Sequence, residues 1–435
     1  MRLFTEYLPY RSMAWAPSVR RLCLLLVAGA MMGAQPLKAG DFGTDVTAIL
    51  APPIKADLHL TDTQLGLLGG TAFALFYTAL GIPIAWLADR FSRTWIMTAA
   101  LALWSGFTAA CGLAQSFGQL FLARLGVGIG EAGGVAPAYS LIADYFPPAQ
   151  RARALAVYSF GIPLGSALGL VFGGLIAAAV DWRAAFFLVG IAGLLLAPIF
   201  RLTVHEPIRG RLDAAQLRAT APPLRQVLES LARKPSFWYL AFGAASSSIM
   251  GYGLFFWLPS LFVRSYGLNL VQVSLFYGTI VLIGGVSGVW LGGWLADKYG
   301  AGRRSAYALV PAGALLLCVP LYAFGTFAPS LKLAFFIFLV PTALGLVWLG
   351  PVLAAVQQLV MPAMRATASA IFLFINNLIG IGAGTVLIGA LSDGLQARFG
   401  MDSLRYAVLA GTVFYLVSAG LFVLASRRLE SDWAQ

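Results

Sequence analysis

Two charged residues in one long apolar stretch could carry chemistry. Arg124 and Glu131 flank the sequence Gly126-Val127-Gly128-Ile129-Gly130 and lie seven positions apart. A charge near the middle of a membrane costs at least ~2.5–3.5 kcal/mol, so such residues are by default functional. Seven positions place them on one helix face, about two turns or roughly 10 Å apart. A carboxylate balanced between burial and a nearby arginine could carry a proton across a membrane, and the alternative is a structural ion pair between helices.

The composition predicts the membrane protein that would surround this pair. Of 435 residues, 60% are hydrophobic and 11% are charged, and the mean hydropathy is +0.83. Soluble domains carry roughly 25% charge. Apolar stretches of about 20 residues, enough to cross ~30 Å of hydrocarbon, recur along the chain and favour helices over the short alternating strands of a barrel. The net charge of +12 fits the positive-inside bias better than nucleic-acid binding.

Neither a metal site nor a disulfide framework is expected. The two histidines lie far apart in loops, and the three cysteines lie in apolar runs without ligand spacing. The chain also has no glycine-rich phosphate loop and no zinc-protease motif, so we expect no cofactor, no ATP drive and no enzymatic activity.

Eleven apolar spans are predicted after residue 60. They are 65–88, 94–114, 117–145, 152–179, 183–203, 236–263, 270–296, 305–327, 331–360, 366–392 and 404–426. Upstream, a basic start leads into an apolar run over 22–34, then a polar stretch, and apolar character resumes up to Ile54. This region is either a cleaved signal peptide or a first helix with a polar second half. We favour the helix because it completes a set of twelve.

The longest polar stretch between spans, 204–235, divides the chain into two six-helix halves, 1–203 and 236–435. With both termini inside the cell, 21 of the 29 Lys and Arg residues fall on the cytoplasmic side. This asymmetry predicts a multi-pass cell-membrane protein with both termini cytoplasmic.

An internal repeat relates the two halves. Ala85-Trp86-Leu87-Ala88-Asp89-Arg90 follows the second span, and Gly293-Trp294-Leu295-Ala296-Asp297-Lys298 follows the eighth, with the aspartates 208 residues apart. A second pair of segments, 148–154 and 362–368, repeats at an offset of 214. Two motifs repeating at nearly one offset indicate halves arranged as parallel structural repeats.

These loops resemble the cytoplasmic signature of the major facilitator superfamily. The resemblance implies an all-α membrane protein of twelve transmembrane helices in two six-helix halves, the major facilitator fold. It also implies that the loop charges latch one conformation, with Asp89 at a helix end and Arg90 and Arg93 in the inner leaflet or paired with Asp89. Ser92 replaces the usual glycine, and ordinary topology-setting charges are the alternative. The candidate latch residues are Asp89, Arg90, Arg93, Asp297, Lys298, Arg151 and Arg365.

A narrower resemblance is to the spinster-like transporters, and it extends over nearly the whole chain from about residue 50. It rests on strings that include Leu50–Leu58, Thr61–Leu68, Gly128–Ala132, Asp144–Pro148 and Glu206–Gly210. Those proteins usually carry an Asp-Arg pair in the first span, where this chain has Gly43 and Thr44. Asp41 and Asp45 stand nearby, so the candidate proton-coupling residues are Glu131, Arg124, Asp41 and Asp45.

Aromatic and polar residues of several spans could form a substrate wall. We expect glycines and a proline to interrupt the seventh span, which is tolerated where a helix lines a cavity. The resemblance implies a lysolipid or sphingoid-type amphiphile, and an aromatic wall with polar groups suits one. The candidate cavity residues are Phe73, Tyr77, Tyr158, Ser247, Tyr252, Phe256, Trp257, Trp348, Asn376 and Asn377.

Together these features predict a monomeric secondary transporter that works by alternating access. Its partners would be protons, a small-molecule substrate and membrane lipid, with no nucleic acid. Two alternatives stay open: a proton-coupled transporter of an organic anion such as a sugar acid or aromatic acid, and a non-transporting receptor or sensor on the same fold.

Overall fold

The first half of the protein is a bundle of helices in which one span is broken by a turn and another contains a π-helical turn. The computed structural model describes residues 42–146, 148–209, 224–300, 303–361 and 364–433. The helices before the linker are α1 (Phe42–Leu58), α2 (Asp62–Gly66), α3 (Ala72–Arg90), α4 (Arg93–Cys111), α5 (Phe117–Glu131), α6 (Val135–Tyr145), α7 (Pro148–Ala179) and α8 (Trp182–Thr203). A π-helical turn, Leu67–Thr71, joins α2 to α3 and is called the π-turn below.

The second half repeats this plan after a short helix in the linker. Its helices are α9 (Leu224–Ala232, in the linker), α10 (Pro235–Tyr266), α11 (Leu270–Gly300), α12 (Ala306–Thr326), α13 (Leu331–Leu344), α14 (Leu349–Gln358), α15 (Arg365–Phe399), α16 (Ser403–Gly411) and α17 (Val413–Asp432). Grouped across the breaks, the described helices form twelve spans, and the first of these is described from Phe42 onward.

Length and composition explain most of the spans. Eight segments of the described chain are long and apolar enough to cross a membrane, and one of them, Thr367–Asp432, contains a turn at Gly400 with φ of 53°. Polar caps set several helix starts, because the first N–H groups of a helix lack intrahelical acceptors. The side chains of Ser116, Asp181 and Ser330 accept hydrogen bonds from the backbone N–H groups of Gln119, Ala184 and Leu333.

Two spans that the sequence predicts as continuous are broken at related places. The span 117–145 divides after Glu131, where residues 132–134 form a turn, and the span 331–360 divides after Leu344, where residues 345–348 do the same. The number of residues between the two breaks, counted from Glu131 to Leu344, lies between the offsets of 208 and 214 found for the two sequence motifs. The break is therefore a feature of the repeat itself.

The halves pack along three helix pairs, which are α1 with α10, α2–α3 with α15, and α7 with α11. Small residues allow the close approach. A Cβ built on Gly174 of α7 would lie 1.7 Å from Ser274 Oγ of α11, and one built on Gly66 would lie 2.5 Å from the Thr385 carbonyl oxygen of α15. Close packing of this kind replaces the hydrophobic driving force that is missing inside a membrane.

Some predictions fall on residues outside the described part. Residues 1–41 are outside it, so Asp41 and the choice between signal peptide and helix stay untested. Asp45 lies in α1, but its side chain is not described. The division into 1–203, 204–235 and 236–435 also stays an interpretation.

Candidate functional site

Arg124 binds the π-turn rather than lipid. It lies in α5 with 1% of its surface exposed, and its Nε donates to the Leu68 carbonyl oxygen at 3.2 Å. Its guanidinium carbon lies 5.7 Å from the centre of the Phe73 ring, within the range of a cation–π contact. The arginine of the fourth span is thus attached to the second span at its irregular turn.

Glu131 is the last residue of α5 and is 2% exposed. Its backbone carbonyl accepts from the Gly134 N–H at 3.0 Å, which helps to close the turn between α5 and α6. Arg124 and Glu131 therefore both lie in α5, and both are buried.

The glycines around Glu131 serve helix packing. A Cβ on Gly128 would lie 2.4 Å from the Phe73 carbonyl oxygen of α3, and a Cβ on Gly130 would lie 2.5 Å from the Trp104 nitrogen of α4. Because these glycines have no side chain, the backbones of α3 and α4 pack directly against α5. It fixes the position of the segment that carries Glu131.

We expect Gly130→Ala to lower the thermal unfolding temperature, because its methyl group would meet backbone atoms that cannot rotate away. Overpacking of this kind costs about 1–3 kcal/mol. Gly118→Ala is the matched control in the same helix, since a Cβ there has nothing within 4 Å. Scanning fluorimetry of both variants measures the difference, and equal melting temperatures would contradict the packing role.

A buried carboxylate joins the halves at one end of the bundle, called the Asp62 end. The Asp62 side chain is 3% exposed and begins α2. Arg264 of α10 binds both of its oxygens, at 2.6 and 2.8 Å, and the Ser392 hydroxyl of α15 donates at 2.7 Å. Lys55 of α1 also pairs with it. These partners compensate the cost of burying the charge.

Asp393 of α15 caps the start of α2 from the other half. Its carboxylate accepts from the backbone N–H groups of Asp62 and Thr63, at 3.0 and 2.7 Å, and from the Thr63 hydroxyl at 2.6 Å. Free N–H groups at a helix start are a good site for a carboxylate. Here the cap belongs to the other half, so it is lost when the halves separate.

Further cross-half bonds follow α2 and the π-turn into the bundle. Thr385 Oγ1 donates to the Gly66 carbonyl at 2.7 Å, and Thr71 Oγ1 donates to the Gly382 carbonyl at 2.6 Å. Within the second half, Trp257 Nε1 of α10 donates to the carbonyl of the same Thr385 at 2.8 Å. We call this set, from Asp62 to Thr71 with its α10 and α15 partners, the seal. At 1.5 Å per residue it is roughly 13 Å deep.

At the opposite end, the Arg93 end, the charged side chains that the structure describes bind partners in their own half or in the linker. Arg93 is 1% exposed and binds Asp144 of α6 and Glu206, the latter at 2.7 Å from Nε. Its Nη1 also donates to Ser140 Oγ at 2.7 Å. In the second half, Arg365 Nε donates to the Gln357 carbonyl at 3.0 Å. These bonds stiffen each half separately.

The loop-motif residues take different environments. Asp89 and Arg90 are exposed, and the Arg90 guanidinium lies 3.8 Å from the Trp86 ring. Lys298 lies 4.6 Å from the Trp294 ring, so both copies of the repeat place a cation over a tryptophan. The Asp89 backbone carbonyl accepts from Arg209, while Arg93 uses Asp144 and Glu206. The side chains of Asp297 and Arg151 are not described.

Glu206 gives the Arg93 end a sensitivity to acid. Burial raises the pKa of Glu206, but the Thr94 N–H, the Arg93 guanidinium and the Ser92 hydroxyl together outweigh it and hold the pKa below its ordinary value. A lowered pKa means stability that is present above the unfolded pKa, about 4.3, and is lost as the pH falls through the folded pKa.

We expect the wild type to lose more thermal stability between pH 7 and about pH 3 than Glu206→Gln does, because only the wild type has this carboxylate to protonate as the pH falls below about 4.3. Melting temperatures across that range measure the effect. The control is Glu229→Gln, whose carboxylate is 55% exposed and pairs only with Arg225 of the same helix in the described contacts. Parallel pH curves for wild type and Glu206→Gln would refute the assignment.

The predicted wall residues divide into buried and accessible groups. Phe73, Tyr158, Ser247, Phe256, Trp257, Trp348 and Asn376 are buried, with Phe256 and Trp257 packed in the seal. Tyr77, Tyr252 and Asn377 are partly exposed. Asn376 accepts from Ser248 at 2.8 Å and donates to Asn377 at 3.0 Å, which makes a polar patch in the second half. Tyr77 stacks on Phe73 at 5.0 Å in the first half.

Sequence reasoning missed the seal. Its charged members are Asp62, Arg264 and Asp393, and the central pair, Asp62 with Arg264, is 202 residues apart. One local signal was present. Thr61 and Gln64 form a capping box, which marks the start of α2 at Asp62. Nothing in the spacing indicates a partner in the other half.

A family model described as the Major Facilitator Superfamily matches residues 39–385. The chain belongs to this superfamily, whose members are transporters and not enzymes, and the predicted twelve-span fold in two halves is confirmed.

The matching proteins define a narrower group. An "MFS-type efflux pump" of Mycolicibacterium smegmatis is 36% identical over 387 residues, covering 88% of this chain and 89% of the pump. "Protein spinster homolog 1" of Homo sapiens is 31% identical over 373 residues, covering 80% of this chain and 69% of that protein. The crystal structure of a bacterial homolog of the human lysosomal transporter Spinster, inward-facing and unoccupied, matches with a TM-score of 0.87 at 30% identity, covering 96% and 99% of the two chains. The chain is thus a major facilitator transporter that resembles the spinster-like proteins.

Proposed function

We propose that this protein is a proton-coupled transporter that moves a small amphiphile, such as a lysolipid or sphingoid-type molecule, by alternating access. The observation that carries the proposal is the seal. It joins the halves at the Asp62 end, and the buried Arg124 of the same half bonds to the seal's own π-turn. Proton-coupled alternating access requires a group that can bind a proton to be connected to the contact that closes one side of the protein. Here the Arg124–Glu131 segment is connected to the seal in this way.

The charge distribution assigns sides to the two ends. The Arg93 end faces the cytoplasm, because the loops near 90, 151, 201–234, 298–304 and 365 carry the excess of Lys and Arg. The Asp62 end then faces outward, and both termini are cytoplasmic at the cell membrane. In this orientation the structure is closed to the outside, in agreement with the inward-facing state of the bacterial Spinster homolog.

The accessible side chains favour an amphiphile. Tyr77 offers an aromatic surface beside Phe73, and Asn377 offers amide groups beside Asn376. An apolar chain and a polar head could therefore be bound on opposite halves. The similarity to an efflux pump and to spinster proteins supports export of such a molecule.

An organic anion is the second candidate, and Arg124 favours it because guanidinium binds carboxylate and phosphate well. In the sealed state Arg124 is only 1% exposed, so an anion would reach it only after rearrangement. The amphiphile therefore remains the preferred substrate.

Proteoliposome flux tests these proposals. Purified protein is reconstituted with a pH gradient and offered radiolabelled lysolipids, sphingoid bases, sugar acids and aromatic acids, after a thermal-shift screen for binding. Accumulation of a lysolipid or sphingoid base that collapses with a protonophore is the expected result. Accumulation of acids alone would support the second candidate. Binding without gradient-driven flux would overturn transport and support a receptor.

A further inference from the structure

The π-turn is the point where three helices meet the second span. Arg124 of α5 donates to the Leu68 carbonyl oxygen from one side. On the other side a Cβ at Gly70 would lie 2.2 Å from Thr385 Oγ1 of α15, and a Cβ at Gly69 would lie 2.3 Å from the Phe256 ring of α10. The turn therefore touches the proposed coupling segment and both helices that the other half contributes to the seal.

A π-turn contains one residue more than the α-helix around it, and such turns are frequent at functional sites. In a π-turn the backbone hydrogen-bond pattern differs from that of an α-helix, so some carbonyl oxygens are available to other donors. In this protein the Arg124 guanidinium donates to one of them, the Leu68 carbonyl oxygen. If the turn returned to α geometry, the segment before it would rotate by about 100° and shift by about 1.5 Å. That segment is α2, which carries Asp62 and Gly66 of the seal.

We propose that Arg124 is a positioning residue that holds the outer seal closed through the Leu68 carbonyl. Its hydrogen bond stabilises the π-turn, and the π-turn sets the rotation of α2 against α15. A change of charge at the Arg124–Glu131 segment reaches Asp62 as a rotation of α2. This inference rests on the proposed proton coupling, and it adds the route by which a proton would act on the gate.

Two roles of Arg124 can be distinguished by experiment: action through the Leu68 carbonyl, and action only on the charge of Glu131. If Arg124 acts only on the charge of Glu131, replacing it has no effect on the seal once Glu131 is neutral. If Arg124 acts through Leu68, its replacement opens the seal whether or not Glu131 has been replaced. A double-mutant cycle of Arg124→Met and Glu131→Gln separates the two roles.

The seal is measured as a distance between spin labels on Ala56 of α1 and Ala397 of α15. Both positions are exposed near the Asp62 end and lie in different halves. The three native cysteines are replaced first. Pulsed electron–electron double resonance in nanodiscs at pH 5.5 and 8 gives the ratio of open to sealed molecules. The measurement needs neither substrate nor a gradient.

We expect Arg124→Met to raise the ratio of open to sealed molecules about tenfold, both alone and combined with Glu131→Gln, since a hydrogen bond from a charged donor is lost. Arg124→Lys, which retains the charge and shortens the reach, is expected to give an intermediate ratio and serves as the second variant. Arg183→Met is the control, because Arg183 also donates to a backbone carbonyl, that of Ala114, and pairs with Asp57, but both partners lie within the first half.

A ratio unchanged in Arg124→Met and Arg124→Lys, or an effect that disappears when Glu131 is neutral, would overturn the proposal. Because the label distance needs no flux, its failure is distinguishable from a failure of the proposed function. If proton-driven transport is normal but the ratio of open to sealed molecules does not depend on Arg124, only the route through the Leu68 carbonyl is rejected, and the proposed function stands.

Discussion

Glu131→Gln is expected to abolish proton-driven accumulation of substrate while exchange of substrate across the membrane continues. The amide cannot bind and release a proton, but its size and its hydrogen-bonding capacity are close to those of the protonated acid. A pH gradient of one unit is worth 1.36 kcal/mol per proton, so a two-unit gradient with one coupled proton supports at most about hundredfold accumulation. In the variant this ratio should fall to about one, as measured by uptake into proteoliposomes.

Counterflow measured in the same proteoliposomes tests whether the variant remains a working carrier. With labelled substrate outside and excess unlabelled substrate inside, exchange should persist at a rate within a fewfold of wild type. Glu229→Gln is the control, since it removes a carboxylate of the linker helix that is 55% exposed. Full accumulation by Glu131→Gln at every pH would remove Glu131 from the coupling mechanism.

Arg264→Leu is expected to shift the protein strongly towards molecules that are open at the Asp62 end. Arg264 is the main second-half partner of the buried Asp62 carboxylate, with bonds of 2.6 and 2.8 Å. Hydrogen bonds to charged groups contribute about 1.5–3 kcal/mol, so the ratio of open to sealed molecules should rise about tenfold to a hundredfold. The label distance between Ala56 and Ala397 measures that ratio directly.

A nearby arginine supplies a matched control for this experiment. Arg405 has 22% of its side chain exposed, against 19% for Arg264, and it binds Asp402 at 3.1 Å and Ser265 at 2.8 Å, both in its own half. Arg405→Leu should leave the ratio unchanged. If both variants opened the Asp62 end equally, general loss of charge and not the cross-half bond would be responsible.

Local chemistry was sufficient to predict the helices. The span predicted at 94–114 is Arg93–Cys111, and the span predicted at 183–203 is Trp182–Thr203. Apolar length and cap residues act within one segment, so they are readable in sequence. The burial of Arg124 and Glu131 also follows from local information, because both stand within one apolar run.

The site's contacts depended on the other half and were not predictable. The Asp62 carboxylate of the first half binds Arg264 of the second half, 202 residues away, and the Asp62 backbone N–H binds Asp393, 331 residues away. The breaks after Glu131 and Leu344 were also missed, because apolar character continues through both. The interruption expected in the seventh span was wrong, since α10 is a continuous helix from Pro235 to Tyr266. Hydropathy reports the solvent around a helix and says little about its hydrogen bonds.

The breaks in the fourth and tenth spans suggest a history for the molecule. Both copies of the repeat retain an interrupted helix, but the residues before the second break, Phe338 to Leu344, are all uncharged, whereas the first copy ends in Glu131 after Arg124. A feature shared by duplicated copies dates from their common ancestor, and a feature of one copy was gained or kept separately. The interrupted helix is therefore common to both copies of the repeat, whereas the ionisable pair belongs to the first half alone.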